Sequence, residues 1–507
     1  MTDLPFGPGA LLVVAVYILS LLAIGGYAYS RRKEDSLNDF FLGGREMGFL
    51  VLVLTLYATQ YSGNTLFGFS GAAYREGLRF LVCVHFMTAI VIAYLIFAPR
   101  LHRISHQQNF ITPGDYIYHR FGSHALRIAV TLIMVYVLCN FTLAQMKTLG
   151  TAFAGISQGR IPMWVGVVGL ALIMLVYESL GGMRSVAWTD VIQGGILMTG
   201  FVLLMFLAFT QMGNLPAALD TLAADPVTRH KIEPPTAEGA RTWLSFIVMV
   251  GLGGAIYPQA LQRTYAAKNG GTLKRSLAVM GVMPLLTAVI AVLIGVLMAA
   301  HHPDLDRLFL AKTGEAVVPS ETVLALLCRE VMQASAFGYW LVVFIFAAIL
   351  AAVMSTADSA LLSISSMLTQ DLYGQYVRPD ATQAHLTRVG KILTWVLMAP
   401  ITALALGYDG TLIQLLKIKF DLLLQCVPAF YLGVHSDRLN ARTVLAGLGA
   451  GSLLAVGLNF AGDLGLAAVN LPKVWGIHSG VWGLALNLGV CGWGLLAAPK
   501  KIQPAPQ

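Results

Sequence analysis

The amino-acid sequence predicts an all-α polytopic membrane protein with 13 transmembrane helices arranged around an inverted repeat. Three observations carry that prediction: an extremely apolar composition, thirteen apolar runs of spanning length, and two interrupted runs that lie five runs apart. Of 507 residues, 57% are hydrophobic and 11% charged, whereas a soluble protein carries about 25% charged residues. Mean hydropathy is +0.72. No soluble core can hide this much apolar surface, so the solvent is lipid. The net charge of +8 is scattered between apolar runs and forms no patch or tail, which argues against a nucleic-acid partner. Cys83, Cys139, Cys328, Cys426 and Cys491 show no CxxC spacing; buried thiols are expected rather than a disulfide scaffold.

The runs lie at 9–30, 47–74, 78–99, 125–157, 161–179, 185–212, 242–264, 274–300, 337–369, 387–407, 411–434, 441–462 and 476–497. Each is close to the roughly 20 residues that cross a bilayer. The first lacks a preceding basic stretch and a small-residue cleavage site, so it reads as a retained helix rather than a signal peptide. The gaps near 213–241 and 301–336 read as loops, with a short helix over Glu321–Met332. Placing the N-terminus outside puts 20 of the 33 Lys plus Arg on the cytoplasmic side, among them Arg31, Arg32, Lys33, Arg100, Arg103, Arg127, Arg263, Lys268, Lys274, Lys500 and Lys501. That bias is the one the positive-inside rule expects, and it leaves the C-terminus inside.

The second run carries Ala58-Thr59-Gln60-Tyr61-Ser62-Gly63-Asn64-Thr65, and the seventh carries Gly251-Leu252-Gly253-Gly254-Ala255-Ile256-Tyr257-Pro258. Irregular backbone at membrane depth is tolerated only where it is buried or lines a cavity. A matched pair of breaks points to an inverted-repeat transporter with repeats at 47–212 and 242–434. Residues 9–30 are then an extra N-terminal helix, and 441–497 two extra C-terminal helices, in a single transporter domain. Ordinary Gly and Pro kinks are the alternative.

The ninth run contains Ala352, Ser355, Thr356 and Ser359 on one helical face, with Asp358 at its border. Two hydroxyls and a carbonyl are hard oxygen ligands that suit a small hard cation, and carbonyls of Ala58 and Tyr61 from the broken second run complete such a shell. Hydroxyls that merely bond back to the i−4 carbonyl are the bland alternative.

Several segments together resemble the sodium:solute symporter family. They are Phe40–Gly48 (FFLGGREMG), Gly71–Leu78 (GAAYREGL), Trp188–Gln193 (WTDVIQ), Gln262–Arg263 and Ala352–Asp371 (AVMSTADSALLSISSMLTQD). The resemblance implies a LeuT-type 5+5 inverted repeat and a sodium site made by carbonyls of Ala58, Tyr61 and Ala352 with hydroxyls of Ser355 and Thr356. It also implies a possible second sodium site from Asp190, Ser355, Asp358 and Ser359. There the chain departs from two-site members, which have a hydroxyl where Asp358 stands. A carboxylate at that position either strengthens a cation site or pairs with a basic residue and abolishes it.

A solute cavity is expected at the midplane between the broken helices. Depth and polarity nominate Gln60, Ser62, Asn64, Thr65, Asn140, Gln145, Lys147, Tyr257, Gln259 and Gln425 as its lining, though each could equally be interhelical glue. Where the family's sugar carriers place a gating tyrosine this chain has Gly254, which weakens a sugar assignment. Lys417 and Asp421 are spaced i,i+4 and are expected to pair. Lys419 then either snorkels to the outer surface or faces an anionic solute. The histidines around His102–His124 lack ligand spacing, and surface solvation is expected for them.

The sequence therefore indicates sodium-coupled import of a small polar solute, a carboxylate or amino-acid-like compound resembling proline or pantothenate, by a monomer in the plasma membrane. A transporter-shaped solute sensor and a carrier of neutral solutes such as sugars are the alternatives. An enzyme is disfavoured, because neither HExxH nor GxSxG is present.

Overall fold

The computed structural model describes residues 8–30, 36–156, 162–303, 305, 319–408, 411–463 and 473–497. Arg31, Arg32, Lys33, Lys500 and Lys501, counted above among the cytoplasmic cations, lie outside the described residues. Over the described residues the chain is almost wholly helical. It opens with α1 (Pro8–Ser30), α2 (Leu37–Leu42), α3 (Phe49–Gln60) and α4 (Phe69–Glu76). Then come α5 (Val82–Gln108), α6 (Pro113–Phe121), α7 (His124–Ile156), α8 (Met163–Met212) and α9 (Leu215–Ala224). The middle is formed by α10 (Ala237–Gly254), α11 (Pro258–Ala266), α12 (Gly270–Met280), α13 (Met283–His301), α14 (Val323–Ala334) and α15 (Ala336–Met367). The last are α16 (Gln383–Gly407), α17 (Leu412–Leu423), α18 (Val427–His435), α19 (Ala441–Asp463) and α20 (Ser479–Ala497). A two-stranded ribbon pairs Lys473–Val474 with Ile477–His478.

Helices fall on every one of the thirteen apolar runs, but the number of spans does not follow directly. Among the described residues, eight helices are long and apolar enough to cross a membrane alone, or nine if a bent pair counts as one. The difference arises because several runs are divided. The second is split into α3 and α4 around Tyr61–Gly63, and the seventh into α10 and α11, which meet at 47°. The fifth and sixth runs are joined into α8, whose two arms turn at Gly182 (φ 56°, ψ −149°). The expected helix near Glu321–Met332 is α14, entered through a 3-10 turn at Pro319–Thr322.

The innermost element is α15, buried along nearly its whole length and packed against α3, α7, α8 and α16. Close approach replaces hydrophobic attraction as the adhesive between such helices, because lipid is as apolar as leucine. Gly295 of α13 shows it: a Cβ there would stand 2.4 Å from the Ser70 carbonyl oxygen and 2.8 Å from the Tyr74 nitrogen, so the backbones of α13 and α4 touch.

Gly182 is a stringent position for two reasons. Its backbone lies in a region that only glycine enters freely, and a Cβ would meet the Phe40 carbonyl oxygen at 2.5 Å. Gly182→Ala is expected to cost about 1–3 kcal/mol in backbone strain alone and to lower the thermal midpoint of the purified protein. Gly195→Ala, where a Cβ meets nothing within 4 Å, is the control and should leave the midpoint unchanged or raised; equal behaviour of the two variants would contradict the turn.

Candidate functional site

The break in the second run starts with its hydrogen bonds. A continuing helix would use the Ser62 N–H to satisfy the Ala58 carbonyl. Instead Ser62 N donates to Thr65 Oγ1 (3.3 Å), Asn64 N to Ser62 Oγ (3.2 Å), and Gly63 N to Gln145 Oε1 of α7 (3.1 Å). Tyr61 leaves the helix at φ −100°, ψ 100°. The released Ala58 carbonyl then receives two hydroxyls from α15: Ser355 Oγ at 3.1 Å and Thr356 Oγ1 at 3.1 Å. Each hydroxyl shares its single proton with the Ala352 carbonyl, 3.3 and 2.9 Å away. Four oxygens thus converge where α3 ends against the middle of α15, all on residues that are essentially inaccessible. The bland expectation of i−4 back-bonding holds for Thr356 as well, so one geometry contains both readings.

The residues named for a second cation are divided by Arg263. This fully buried side chain comes from α11, within the seventh run, although it was counted among the cytoplasmic cations. Its Nη2 pairs with Asp190 Oδ2 at 2.9 Å and donates to Ser359 Oγ at 2.5 Å; Nε donates to Thr55 Oγ1 at 2.7 Å and Nη1 to the Gln259 carbonyl at 3.2 Å. Thr55 Oγ1 in turn donates to Asp190. Asp358 Oδ1 accepts from the Ser359 backbone N–H at 2.6 Å, while the Ser355 hydroxyl turns to Ala58. A guanidinium therefore bridges two of the four groups, and Ser355 belongs to the first cluster. Neighbouring Gln262 fastens the same helix to α15, donating to Ser366 Oγ (2.5 Å) and accepting from Ser363 Oγ (2.6 Å).

The nominated lining residues separate into two sets. Ser62, Thr65 and Gln145 stitch the broken helix together, as above. Gln60 is half-buried and donates to Tyr94 Oη at 3.1 Å. Gln425 donates to the carbonyls of Asp421 (3.0 Å) and Gly480 (2.9 Å), tying the eleventh run to α20. The second set carries buried atoms without hydrogen-bond partners: Asn64 Oδ1, Asn140 Oδ1, and both Gln259 amide atoms. Tyr257 stacks on Phe141, with ring centroids 5.2 Å apart and planes 15° apart, and lies 5.2 Å from Phe420. Lys147 is buried, with Nζ 5.0 Å from the Tyr408 ring centroid.

Lys419 is only 1% exposed, so it does not snorkel. Its ammonium sits 3.9 Å from the Phe141 ring centroid and 5.6 Å from that of Tyr257, and among the described residues it meets no carboxylate. The pairing expected of Lys417 and Asp421 is electrostatic rather than a direct ion pair, and Asp421 has closer partners. Asp421 accepts from Asn459 Nδ2 (2.8 Å), Ser479 Oγ (3.0 Å) and Gly480 N (2.8 Å), which hold it to α19 and α20. Lys417 and Asp421 line a cleft of about 410 Å³ with Tyr136, Tyr408 and His478, on the side of α17 away from Lys419.

A further buried network escaped sequence reasoning. Arg127 Nη2 bridges Asp371 Oδ1 (2.8 Å) and Asp115 Oδ1 (2.9 Å), and Asp371 also accepts from Thr112 (2.6 Å) and Thr131 (3.1 Å). Arg127 was counted with the cytoplasmic cations, although Asp371 ends the AVMSTADSALLSISSMLTQD segment. The buried carboxylate in that segment was the signal that it needed a cation. His102 is likewise buried rather than solvated, with Nε2 3.0 Å from the Ala267 carbonyl oxygen.

With this geometry in place, comparison with known proteins is decisive. The model of the sodium:solute symporter family matches residues 40–451. The chain belongs to the sodium:solute symporter family. It is 27% identical over 444 residues to the osmoregulated proline transporter of Bacillus subtilis (strain 168), covering 87% of this chain and 86% of that protein. It is 28% identical over 497 residues to the sodium/pantothenate symporter of Escherichia coli (strain K12), covering 94% of each. The sodium/glucose cotransporter of Vibrio parahaemolyticus is 25% identical over 476 residues, covering 89% of this chain and 85% of that protein. A solved structure of a Na+-coupled sialic acid symporter in a substrate-bound outward-open state superposes with a TM-score of 0.77 at 20% identity, covering 98% of this chain and 100% of that one. The shared fold is that of a polytopic symporter, and these relatives are transporters rather than enzymes.

In this family member the Arg263–Asp190 pair sits dry between helices, so breaking it strands a charge. Arg263→Met is expected to cost about 3–5 kcal/mol. Adding Asp190→Leu should recover much of that loss, because no uncompensated charge remains. Thermal unfolding of the two variants checks this, and strictly additive losses would contradict the pairing.

Proposed function

We propose that this chain is a sodium-coupled importer of a small carboxylate-bearing solute, proline- or pantothenate-like, with sodium held between α3 and α15. The supporting observation is the convergence of the Ser355 and Thr356 hydroxyls on the Ala58 carbonyl that the helix break releases. Neutral, hard oxygens in a dry pocket suit a monovalent cation. Carbonyls of Ala58, Tyr61 and Ala352 with the two hydroxyls form its shell. Bound there, sodium holds the two helices together and favours the outward-open state that takes solute, so each ligand raises the other's affinity. Each charge moved down 100 mV contributes about 2.3 kcal/mol.

The reading assigns one sodium per cycle, because the Arg263 guanidinium supplies the positive charge beside Asp190 and Ser359 that a second ion would bring. It places the repeats at 47–212 and 242–434 and the N-terminus outside a plasma membrane, with a monomer as the working unit. Alternating access follows from one repeat moving against the other.

For the solute, the supporting observation is Lys419, buried among the Phe141 and Tyr257 rings. A lysine there is costly unless it meets an anion. The unpartnered Gln259 amide and the Asn140 and Asn64 oxygens offer further contacts for a polar solute.

Two experiments test the reading. Ser355→Ala with Thr356→Ala removes two of five ligands at little cost in helix propensity. Sodium affinity in proteoliposome uptake should fall by about tenfold or more, equivalent to about 1.4 kcal/mol; the wild type should show a Hill coefficient of one. Unchanged sodium dependence refutes the site, and a coefficient near two refutes the stoichiometry. Separately, Lys419→Gln should lower the apparent affinity for a carboxylate substrate by roughly 10- to 100-fold, the loss of one charge-assisted bond. A neutral true substrate, or unaltered uptake, removes Lys419 from the solute site.

A further inference from the structure

At the basic end of α5, away from both clusters, the helix faces the start of α12 across a cavity of about 940 Å³. Contrary to the scattered charge expected from the sequence, the fold gathers a basic patch here: Arg100 and Arg103 stand on one wall and Lys268 and Lys274 on the other, all exposed. None of the four forms a salt bridge among the described residues, and no carboxylate lines the cavity. Four like charges facing one space repel one another, and a chain keeps them there at a cost unless an anion neutralises them.

The cavity has a built floor. His102 Nε2 lies 3.0 Å from the Ala267 carbonyl oxygen and His106 Nε2 lies 3.0 Å from the Tyr265 carbonyl oxygen. Their rings, 4.2 Å apart, thus clamp the segment leading to Lys268 against α5. That segment ends in the N-terminus of α12, an 11-residue helix capped by Asn269, whose side chain accepts from Thr272 N at 2.8 Å. Gly270 and Gly271, the first residues of that helix, line the cavity, where the positive end of the helix dipole lies. At the mouth, one turn back along α5, Leu95 and Ile96 are 48% and 51% exposed.

We propose that this cavity binds the phosphate headgroup of an anionic glycerophospholipid. The four cations and the α12 N-terminus hold the phosphate, and the acyl chains leave over Leu95 and Ile96 into the bilayer. A soluble phosphate would satisfy the cations but would have no use for the apolar mouth. A basic pocket between helices at the cytoplasmic edge of a membrane protein is suited to such headgroups.

The test uses the purified full chain in detergent, with bound lipid counted by native mass spectrometry and thermal midpoints recorded in parallel. The probes are phosphatidylglycerol, phosphatidylcholine and inorganic phosphate. Phosphatidylglycerol should bind about tenfold or more tighter than phosphatidylcholine and raise the midpoint saturably. The variant Arg100→Gln/Arg103→Gln/Lys268→Gln/Lys274→Gln should lose that preference while keeping its weak phosphatidylcholine binding. Should it fail to fold, the two double variants, one per wall, replace it, and each should weaken phosphatidylglycerol binding by about threefold or more. Equal binding of the two lipids, or an unchanged preference in the variants, overturns the proposal. So does inorganic phosphate giving the full stabilisation alone, which would make this a site for free anions.

Discussion

Hydrocarbon offers no hydrogen bonds, so each backbone group released by a broken helix must be answered by a side chain from another helix. The arrangement around Tyr61–Gly63 follows from that constraint. Gln145 answers the Gly63 N–H, Thr65 answers Ser62, and Ser355 and Thr356 answer the Ala58 carbonyl. The groups that repair the break are the same groups that create a cluster of oxygens inside the membrane. Local disorder of the helix and local order of a polar site are therefore one phenomenon, and α15 is so deeply buried because it supplies the repair.

The same rule governs the charges. Arg263 and Arg127 each join helices distant in sequence and each answer a buried carboxylate, Asp190 and Asp371. Removing a carboxylate from water is costly, and a guanidinium with several fixed donors offsets that cost better than an ammonium does. Lys419 departs from the pattern: its nearest groups are aromatic faces, which attract a cation but leave its donors unused. That contrast separates a buried lysine facing aromatic rings from arginines that hold the fold.

The helical runs were legible in the sequence because spanning length and apolarity are local properties. Both helix breaks were legible too, since Ser62-Gly63-Asn64 and Gly251–Pro258 interrupt apolar runs with residues that favour irregular backbone. The convergence of Ser355 and Thr356 on Ala58 could be anticipated from helical phase together with family resemblance. What stayed hidden was long-range pairing. Arg263 and Arg127 lie near run ends and were counted with the cytoplasmic cations, because nothing in their own neighbourhoods announces Asp190 or Asp371. Lys417 and Asp421 have ideal i,i+4 spacing, yet Asp421 is held by Asn459, Ser479 and Gly480 from another part of the chain. Spacing within one helix cannot reveal that a better set of donors arrives from two others. The number of spans was obscured for a related reason: hydropathy sees a run, whereas kinks decide whether that run is one rod or two.

The glycine contact between α13 and α4 has a mechanical meaning. With Gly295 against the backbone at Ser70 and Tyr74, α4 is seated on α13, while α3 is seated on α8, α12 and α15 and has a different set of neighbours. The two arms of one broken span are thus bolted to different parts of the bundle. The linker at Tyr61–Gly63 is a joint between two blocks, and any displacement of one block against the other must bend the chain within five residues of the Ala58 carbonyl. Leverage at the outer ends of those arms is delivered at the oxygen cluster, because that is where the lever has its fulcrum.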